Sequence, residues 1–199
     1  MKKNTQLNSI RIIGGQWRGR RLPVLCSNGL RPTTDRVRET VFNWLMYDVQ
    51  GAHCLDLCAG TGALSLECLS RGATSAVMVE SNAAVVKQLQ QNIQALSAPA
   101  TVVQQNVLQY LRSVPTRRYD IVFIDPPFDA LLQEQICQLL IEQDWLSDHA
   151  CIYIEQRAKY VDVNVPAAWH LHRDGKAGQS RYCLYHAILN NHPLTETTT

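Results

Sequence analysis

Short apolar segments alternate with longer, helix-like segments from about residue 53 to residue 156. The apolar segments have the length of buried strands, and the segments between them repeat apolar residues every three or four positions. A chain of this kind forms a parallel sheet covered by helices on both faces. The predicted strands are residues 54–57, 75–80, 101–105, 119–125 and 150–156.

The predicted helices have recognisable ends. Gly72 follows the helix-like segment ALSLECLSR and is expected to end it, because glycine adopts the left-handed conformation common at helix C-termini. Asn82 is expected to cap the next helix, whose apolar residues fall on one face. A further helix carries Leu132, Ile136 and Leu139.

The alternation stops after residue 156. Two β-like segments, residues 169–173 and 181–186, flank Gly175–Gly178 as the strands of a hairpin would. The sequence therefore predicts an α/β, Rossmann-like fold, with a doubly wound, mostly parallel sheet and a C-terminal antiparallel hairpin. Residues 51–189 would form this domain, and the polar residues 190–199 a disordered tail.

Residues 1–50 form a basic N-terminal extension with a different pattern. RIIGGQWRGRRLPV (residues 11–24) predicts a β-hairpin, and the helix after it is expected to be capped by Thr33 or Thr34. Residues 1–40 contain nine basic and two acidic residues, a net charge of +7 that leaves −5 for the remainder of a chain with total charge +2. This asymmetry is typical of nucleic-acid binding, although a solvated basic tail would look the same.

Cysteine usage and hydropathy indicate the compartment. The chain has seven cysteines, an odd number, with no C-x-x-C pair, and most stand in apolar segments. Buried free thiols in a reducing environment are expected, with no metal site. Residues 1–9 are polar and no apolar segment approaches membrane-spanning length, so we expect a cytoplasmic protein without a signal peptide. We also expect a monomer.

Two motifs at predicted strand ends indicate a cofactor. The first strand continues into the loop from Asp56 to Gly62, where Gly60 and Gly62 let the backbone turn tightly and approach a ligand. The second strand ends in Glu80, placed to accept hydrogen bonds from both hydroxyls of a ribose. Two ligand-facing acids, Asp56 and Glu80, suit a cofactor with a sulfonium cation and no phosphate, which describes S-adenosylmethionine.

Structural and functional alternatives remain for these residues. Asp56 could form the turn and Glu80 could cap the following helix. A nicotinamide oxidoreductase would use a similar loop, but Ser65 occupies the third glycine position of G-x-G-x-x-G. Asn106 ends the third strand, where it would lie beside an adenine ring or form a turn.

The fourth predicted strand ends in the sequence FIDPPF (residues 123–128). Pro126 and Pro127 have restricted φ and no N–H, so they stiffen the segment that carries Asp125. The Asp125 carboxylate and nearby carbonyls are acceptors for the N–H groups of an exocyclic base amine, and Phe128 offers a face on which a flipped base can stack. Beside a methyl donor, this arrangement indicates N-methylation of a nucleobase.

The successive motifs D-x-x-A-G-T-G, the acidic end of the second strand and D-P-P-F resemble those of class I S-adenosylmethionine-dependent methyltransferases acting on base amines. RIIGGQWRGRRL and RPTTDRVRETVFNWL resemble the RsmD family, which methylates guanine N2 in small-subunit (16S) ribosomal RNA. The resemblance covers residues 11–186. It implies two sets of site residues: Asp56, Ala59, Gly60, Gly62, Glu80, Asn106 and Val107 at the cofactor, and Asp125, Pro126, Pro127 and Phe128 at the base.

The resemblance also implies an RNA-facing role for the N-terminal extension, on ribosomal RNA or an assembling small subunit. Guanidinium groups would contact phosphates and Trp17 would stack, unless the extension is a solvated hairpin with Trp17 buried beneath it. An adenine-N6 methyltransferase acting on DNA or RNA, and a non-catalytic RNA-binding module, remain alternatives. The expected RNA contacts are Arg11, Trp17, Arg18, Arg20, Arg21, Arg31, Arg36 and Arg38.

Overall fold

The computed structural model describes residues 7–25, 34–127, 132–160 and 162–189. Arg31, Phe128 and the predicted tail 190–199 lie outside the described residues. The strands are β1 Leu7–Arg11, β2 Arg21–Leu25, β3 His53–Asp56, β4 Ser75–Glu80, β5 Ala100–Gln104, β6 Tyr119–Ile124, β7 Leu146–Arg157, β8 Trp169–Ala177 and β9 Ser180–Ala187. The helices are α1 Asp35–Trp44, α2 Ala63–Ser70, α3 Ala83–Leu96, α4 Val107–Leu111 and α5 Gln133–Glu142.

Seven strands form one sheet in the order β5-β4-β3-β6-β7-β9-β8. The first five strands of this order are parallel, and β9 runs antiparallel to both neighbours. The chain winds outward from β3 through β4 to β5, then returns to place β6 on the other side of β3. The predicted doubly wound α/β fold is confirmed, and its switch point lies between β3 and β6.

Helices cover both faces of the sheet, because alternate strand residues face opposite sides. One hydrophobic cluster joins residues of α1, α2 and α3 to Cys54, Phe123 and Tyr153. The other joins α4 and α5 to Leu55 and Ile124. None of the helices within the described ranges is long and apolar enough to cross a membrane.

Two of the differences from the predicted elements have a clear physical cause. The short helix α4 was not predicted, because five residues are too few to show a helical period. The C-terminal hairpin turns later than expected, since Gly175 lies inside β8 opposite Tyr182. A Cβ at Gly175 would lie 2.6 Å from the Tyr182 ring, so the glycine makes room for this cross-strand ring, and Gly178, with φ of 59°, makes the turn.

The N-terminal hairpin packs against the C-terminal end of α2. Ser70 accepts hydrogen bonds from the backbone N–H of Gln16 on its carbonyl (2.7 Å) and from that of Trp17 on its hydroxyl (3.0 Å). The same hydroxyl donates to the Gly14 carbonyl at 2.6 Å. Gly15 has φ of 73°, and a Cβ there would lie 1.7 Å from the Ser70 carbonyl oxygen. Gly15 is therefore required for this close backbone contact.

Glu67, on α2, is a fully buried carboxylate that holds the extension in place. It accepts hydrogen bonds from the backbone N–H groups of Ile13 and Gly14, each at 2.8 Å. It also accepts from Arg71 Nε at 2.7 Å, and Arg38 Nη1 of α1 lies 3.9 Å away. One side chain thus joins the hairpin, α1 and α2, and its charge is compensated by two guanidinium groups.

Replacing Glu67 should strongly destabilise the fold. Glu67→Ala leaves two backbone N–H groups and Arg71 without their carboxylate and removes the negative charge beside the buried Arg38. Removing one partner of a buried charge pair costs about 3–5 kcal/mol. Urea unfolding should show this loss in the free energy of unfolding, whereas Glu142→Ala, at an exposed position on α5, should change it by less than about 0.5 kcal/mol. Equal midpoints for Glu67→Ala and the wild type would contradict this role.

Candidate active site

The carboxyl ends of β3, β4 and β6 meet at the switch point of the sheet. The loop after β3 is bonded to both neighbouring strands: Leu57 N–H donates to the Phe123 carbonyl (3.1 Å) and Ala59 N–H to the Val79 carbonyl (3.0 Å). These bonds bring Glu80 to one side of the loop and the DPP segment after β6 to the other. Ligands of doubly wound sheets bind in this crevice.

Glu80 is half-buried and joins two backbone segments. One carboxylate oxygen accepts from Gly60 N–H at 3.1 Å, and the other from Asn82 N–H at 2.8 Å, at the start of α3. Glu80 therefore supports the start of the helix, as in the structural alternative, and also lies directly against the glycine loop. Each carboxylate oxygen keeps a further lone pair, so this position leaves acceptor capacity for ligand hydroxyls.

Asp56 lies inside the loop, and its contact with a ligand stays a prediction. Its side chain is 2% exposed and accepts from the buried Ser65 hydroxyl at 2.7 Å. Burial, with a smaller contribution from the nearby Glu80 charge, raises the pKa of Asp56 to about 6, although bonds from Ser65 and the Cys58 N–H oppose the rise. Ser65 stands at the third glycine position of G-x-G-x-x-G, and its hydroxyl bonds this carboxylate. The buried Asp56 therefore helps to fix the shape of the loop.

The two loop glycines have left-handed backbone conformations. The φ angles are 49° at Gly60 and 74° at Gly62. A Cβ at Gly62 would lie 2.6 Å from Leu89 Cδ2 of α3, so a larger residue would push the loop and helix apart. Ala59 is 7% exposed and packs in the adjacent core. The loop is thus fixed before any ligand is bound.

Asn106 caps α4, which follows β5. Its side-chain oxygen accepts from the backbone N–H groups of Leu108 (3.0 Å) and Gln109 (3.3 Å). The residue itself is exposed, whereas Val107 is 6% exposed and belongs to the core. Since the carbonyl oxygen is used in capping, the amide N–H₂ of Asn106 is the side-chain group suited to a ligand contact.

The DPP segment begins one residue after β6 ends. Asp125 is half-buried, Pro126 is buried and Pro127 is exposed. The pKa of the Cys58 thiol is raised by burial and then by the charges of Asp56, Asp125 and Glu80. Three carboxylates from three strand ends therefore act on one point in the loop, and this negative potential favours a cationic ligand.

Two residues of β7 beside this segment were missed in the sequence. The Tyr153 hydroxyl donates to Glu155 Oε2 at 2.7 Å, and both side chains are buried. The pKa of Tyr153 is raised by burial, then by the charges of Glu155 and Asp125. The signal that could have identified them is a glutamate at the end of the apolar segment ACIYIE, in the strand expected to follow β6.

Most of the predicted RNA-contacting arginines are on the surface. Arg18, Arg21 and Arg36 are exposed. Arg11 pairs with Asp35 at 3.1 Å, with both side chains more than half exposed, and Arg20 donates to the Ala95 carbonyl at 3.2 Å. Their contact with RNA stays a prediction.

Two members of the predicted RNA-binding set, Trp17 and Arg38, are buried, which favours the structural alternative for them. Trp17 is 9% exposed and packs in the core beneath the hairpin, so its ring offers no face for a base. Arg38 is 1% exposed, donates to Asp35 at 2.5 Å and lies beside Glu67. Both residues hold the extension on the domain, which local sequence could not show because their partners are distant in the chain.

One group in the described part of the chain has metal-ligand chemistry: Asp48, Cys151 and His186, whose donor atoms lie within 4.8 Å of one another. Cys151 pairs with Ile121 near the amino end of β6, so the group lies away from the switch point. Burial, and then the charge and hydrogen bond of Asp48, raise the pKa of the Cys151 thiol to about 12. The protonated thiol hydrogen-bonds the carboxylate, an arrangement that needs no ion.

Comparison with known proteins shows the family. Residues 10–186 match the family described as conserved hypothetical protein 95. The chain is 51% identical to ribosomal RNA small subunit methyltransferase D of Escherichia coli K12 over 93% of this chain and 94% of the relative. It is 44% identical to the protein of the same name from Haemophilus influenzae, over 88% of this chain and 93% of that protein.

The fold agrees with this relationship. The solved structure of Escherichia coli yhhF is 50% identical, covers 91% of this chain and 99% of its own, and has a TM-score of 0.83. The family match spans the hairpin, the glycine loop, Glu80 and the DPP segment together, so the similarity includes the extension as well as the sheet. This chain belongs to the ribosomal RNA small subunit methyltransferase D family.

Proposed function

We propose that this protein transfers a methyl group from S-adenosylmethionine to the exocyclic N2 amine of a guanine in small-subunit ribosomal RNA. The observation that carries the proposal is the meeting of the glycine loop, Glu80 and the Asp125-Pro126-Pro127 segment at one switch point. The relatives named above act on ribosomal RNA of the small subunit, as their names state. The substrate is this RNA, alone or in an assembling subunit.

The residues at the switch point fit S-adenosylmethionine. Glu80 holds the loop and keeps acceptor capacity for ribose hydroxyls, and Asn106 directs an amide group toward the adenine side. The carboxylates of Asp56, Glu80 and Asp125 create a negative potential around Cys58 that suits a sulfonium cation and disfavours the phosphates of a dinucleotide. When bound, the cofactor supplies a methyl group whose transfer forms the N–C bond, breaks the S–C bond and leaves one proton on nitrogen to be lost.

The protein contributes alignment and charge rather than a strong base. A guanine amine is planar, and its lone pair must point at the methyl carbon for in-line transfer. Asp125 and a proline carbonyl accept the N–H groups, which turns the nitrogen toward the donor and stabilises the positive charge that develops on it. The methylated nitrogen is acidic, so Asp125 or water takes its proton readily.

The exposed arginines of the N-terminal extension would bind phosphates. Arg18, Arg20 and Arg21 lie on or beside the hairpin loop that packs on α2, and α2 begins at the glycine loop. The hairpin contacts the C-terminal end of this eight-residue helix, so RNA bound to the basic segment would be held about one helix length from the glycine loop. Arg36 adds a further exposed cation on α1.

Removing the Glu80 carboxylate should weaken cofactor binding. Glu80→Ala loses charge-assisted bonds to the ribose and the bond that supports the loop, so affinity for S-adenosylmethionine should fall by about 2 kcal/mol or more. Titration calorimetry measures the loss, and Glu142→Ala is the matched control. Unchanged affinity in Glu80→Ala would remove this residue from the cofactor site.

Removing the basic surface should weaken RNA binding alone. Replacing Arg18, Arg20 and Arg21 together by Ala should flatten the logarithmic salt dependence of RNA affinity by about two to three units of slope, because fewer counterions are released. Cofactor affinity should not change. The control replaces exposed cations elsewhere on the domain: Lys87, Arg112 and Lys176. If both triple variants show the same salt-dependence slope, the hairpin arginines do not bind RNA phosphates and the hairpin is only a solvated surface.

Removing Asp125 should abolish alignment of the amine while leaving the fold. Asp125→Ala keeps both prolines, so the variant should bind cofactor and unfold like the wild type, while turnover falls by about a hundredfold or more. Nucleosides from small-subunit RNA of a deletion strain, with and without the wild-type gene, should differ in N2-methylguanosine by mass spectrometry. Finding N6-methyladenosine instead, or full activity in Asp125→Ala, contradicts the proposed function.

A further inference from the structure

Tyr153 and Glu155 were not identified from the sequence. They lie beside the DPP segment, which is expected to hold the target base. Strands β6 and β7 are parallel neighbours, with Phe123 opposite Tyr153 and Ile124 opposite Ile154. Continued by one residue, this register brings Glu155 beside Asp125. Both residues fall on the sheet face of Phe123 and Tyr153, whose rings are 6.1 Å apart.

Tyr153 orients the Glu155 carboxylate, and Gln133 holds the Glu155 backbone. The Tyr153 hydroxyl donates to Oε2 at 2.7 Å, and Gln133 Nε2 donates to the Glu155 backbone carbonyl at 3.3 Å. Glu155 is 7% exposed, so little water competes for it. A carboxylate has about four lone-pair sites, and among the described residues the Tyr153 hydroxyl is the donor seen on the Glu155 carboxylate. Glu155 therefore offers an oriented, dehydrated acceptor next to the residue assigned to the amine.

The two purines differ at the atom next to their exocyclic amine. Guanine carries an N1–H beside its N2 amine, whereas adenine carries a bare N1 lone pair beside its N6 amine. Asp125 and the proline carbonyl accept from either amine, so the DPP segment alone does not choose between them. A second carboxylate beside it accepts from guanine N1–H and repels the adenine N1 lone pair.

We propose that Glu155, oriented by the Tyr153 hydroxyl, accepts the N1–H of the target guanine and thereby makes the enzyme select guanine over adenine. This inference rests on the proposed function, since it assigns the base-reading residue of the same site. The burial of Glu155 strengthens the selection, because a buried acceptor without a donor is costly to leave unpaired.

The test uses a base that has the N2 amine but lacks N1–H. 2-Aminopurine keeps the methylated N2 amine, but its N1 is an acceptor and it also lacks the O6 carbonyl of guanine, so the Glu155 variant is needed to assign the effect to N1. Small-subunit RNA fragments would carry guanine or 2-aminopurine at the position that the wild type methylates. The wild type should prefer guanine by about a hundredfold or more in kcat/KM.

Glu155→Gln should lose this preference. The glutamine amide can donate to the N1 lone pair of 2-aminopurine, so the ratio of the two kcat/KM values should fall to within about tenfold of unity, while cofactor affinity stays unchanged. Tyr153→Phe keeps the carboxylate but frees its orientation, so it should reduce the ratio less. Glu142→Gln should behave as the wild type. Thermal unfolding of each variant checks the fold.

The outcomes separate the inference from the function on which it rests. If Glu155→Gln lowers both rates by the same factor, Glu155 is a structural partner of Tyr153 and the inference is overturned. An unchanged preference in Glu155→Gln overturns it as well. If the wild type methylates no guanine N2 in small-subunit RNA, the proposed function itself fails, whatever the variants do.

Discussion

The buried carboxylate of Glu67 is the contact on which the arrangement of the whole chain depends. A charge with no exposure must be compensated, and here the compensation comes from Arg71 of its own helix, Arg38 of α1 and two backbone N–H groups of the N-terminal hairpin. If the hairpin left the domain, the buried carboxylate would lose two of its hydrogen-bond donors. The extension is therefore part of one packed structure, as the shared hydrophobic cluster of Ile12, Trp17 and Leu66 also shows.

The switch point uses acids in two different ways. Asp56 is buried and bonded by Ser65, whereas Glu80 and Asp125 are half-buried at the ends of their strands. Glu80 is compatible with both interpretations of the sequence. Its carboxylate supports the start of α3, and a ligand hydroxyl would bond to a different lone pair of the same group. Glu155 adds a fourth acid, from the neighbouring strand.

Features with a local cause were predictable from the sequence. Strand Ser75–Glu80 and the Asn82 cap are found as expected, because alternation and capping depend on adjacent residues. The inward position of Asp56 and the burial of Trp17 and Arg38 depend on partners elsewhere in the chain, so the local sequence could not predict them. Glu155 was missed for the same reason, since only the pairing of β6 with β7 brings it beside Asp125.

Helix α2 is tied at both ends, to the glycine loop through Gly62 and to the hairpin through Ser70. Its eight residues span about 12 Å at the usual rise of 1.5 Å per residue. The helix would therefore set a fixed distance between the surface expected to bind phosphates and the loop expected to bind the methyl donor. Only a nucleotide at the matching distance from the bound phosphates would then reach the methyl donor. The shape of the RNA would therefore limit which guanines are modified, before the base itself is recognised.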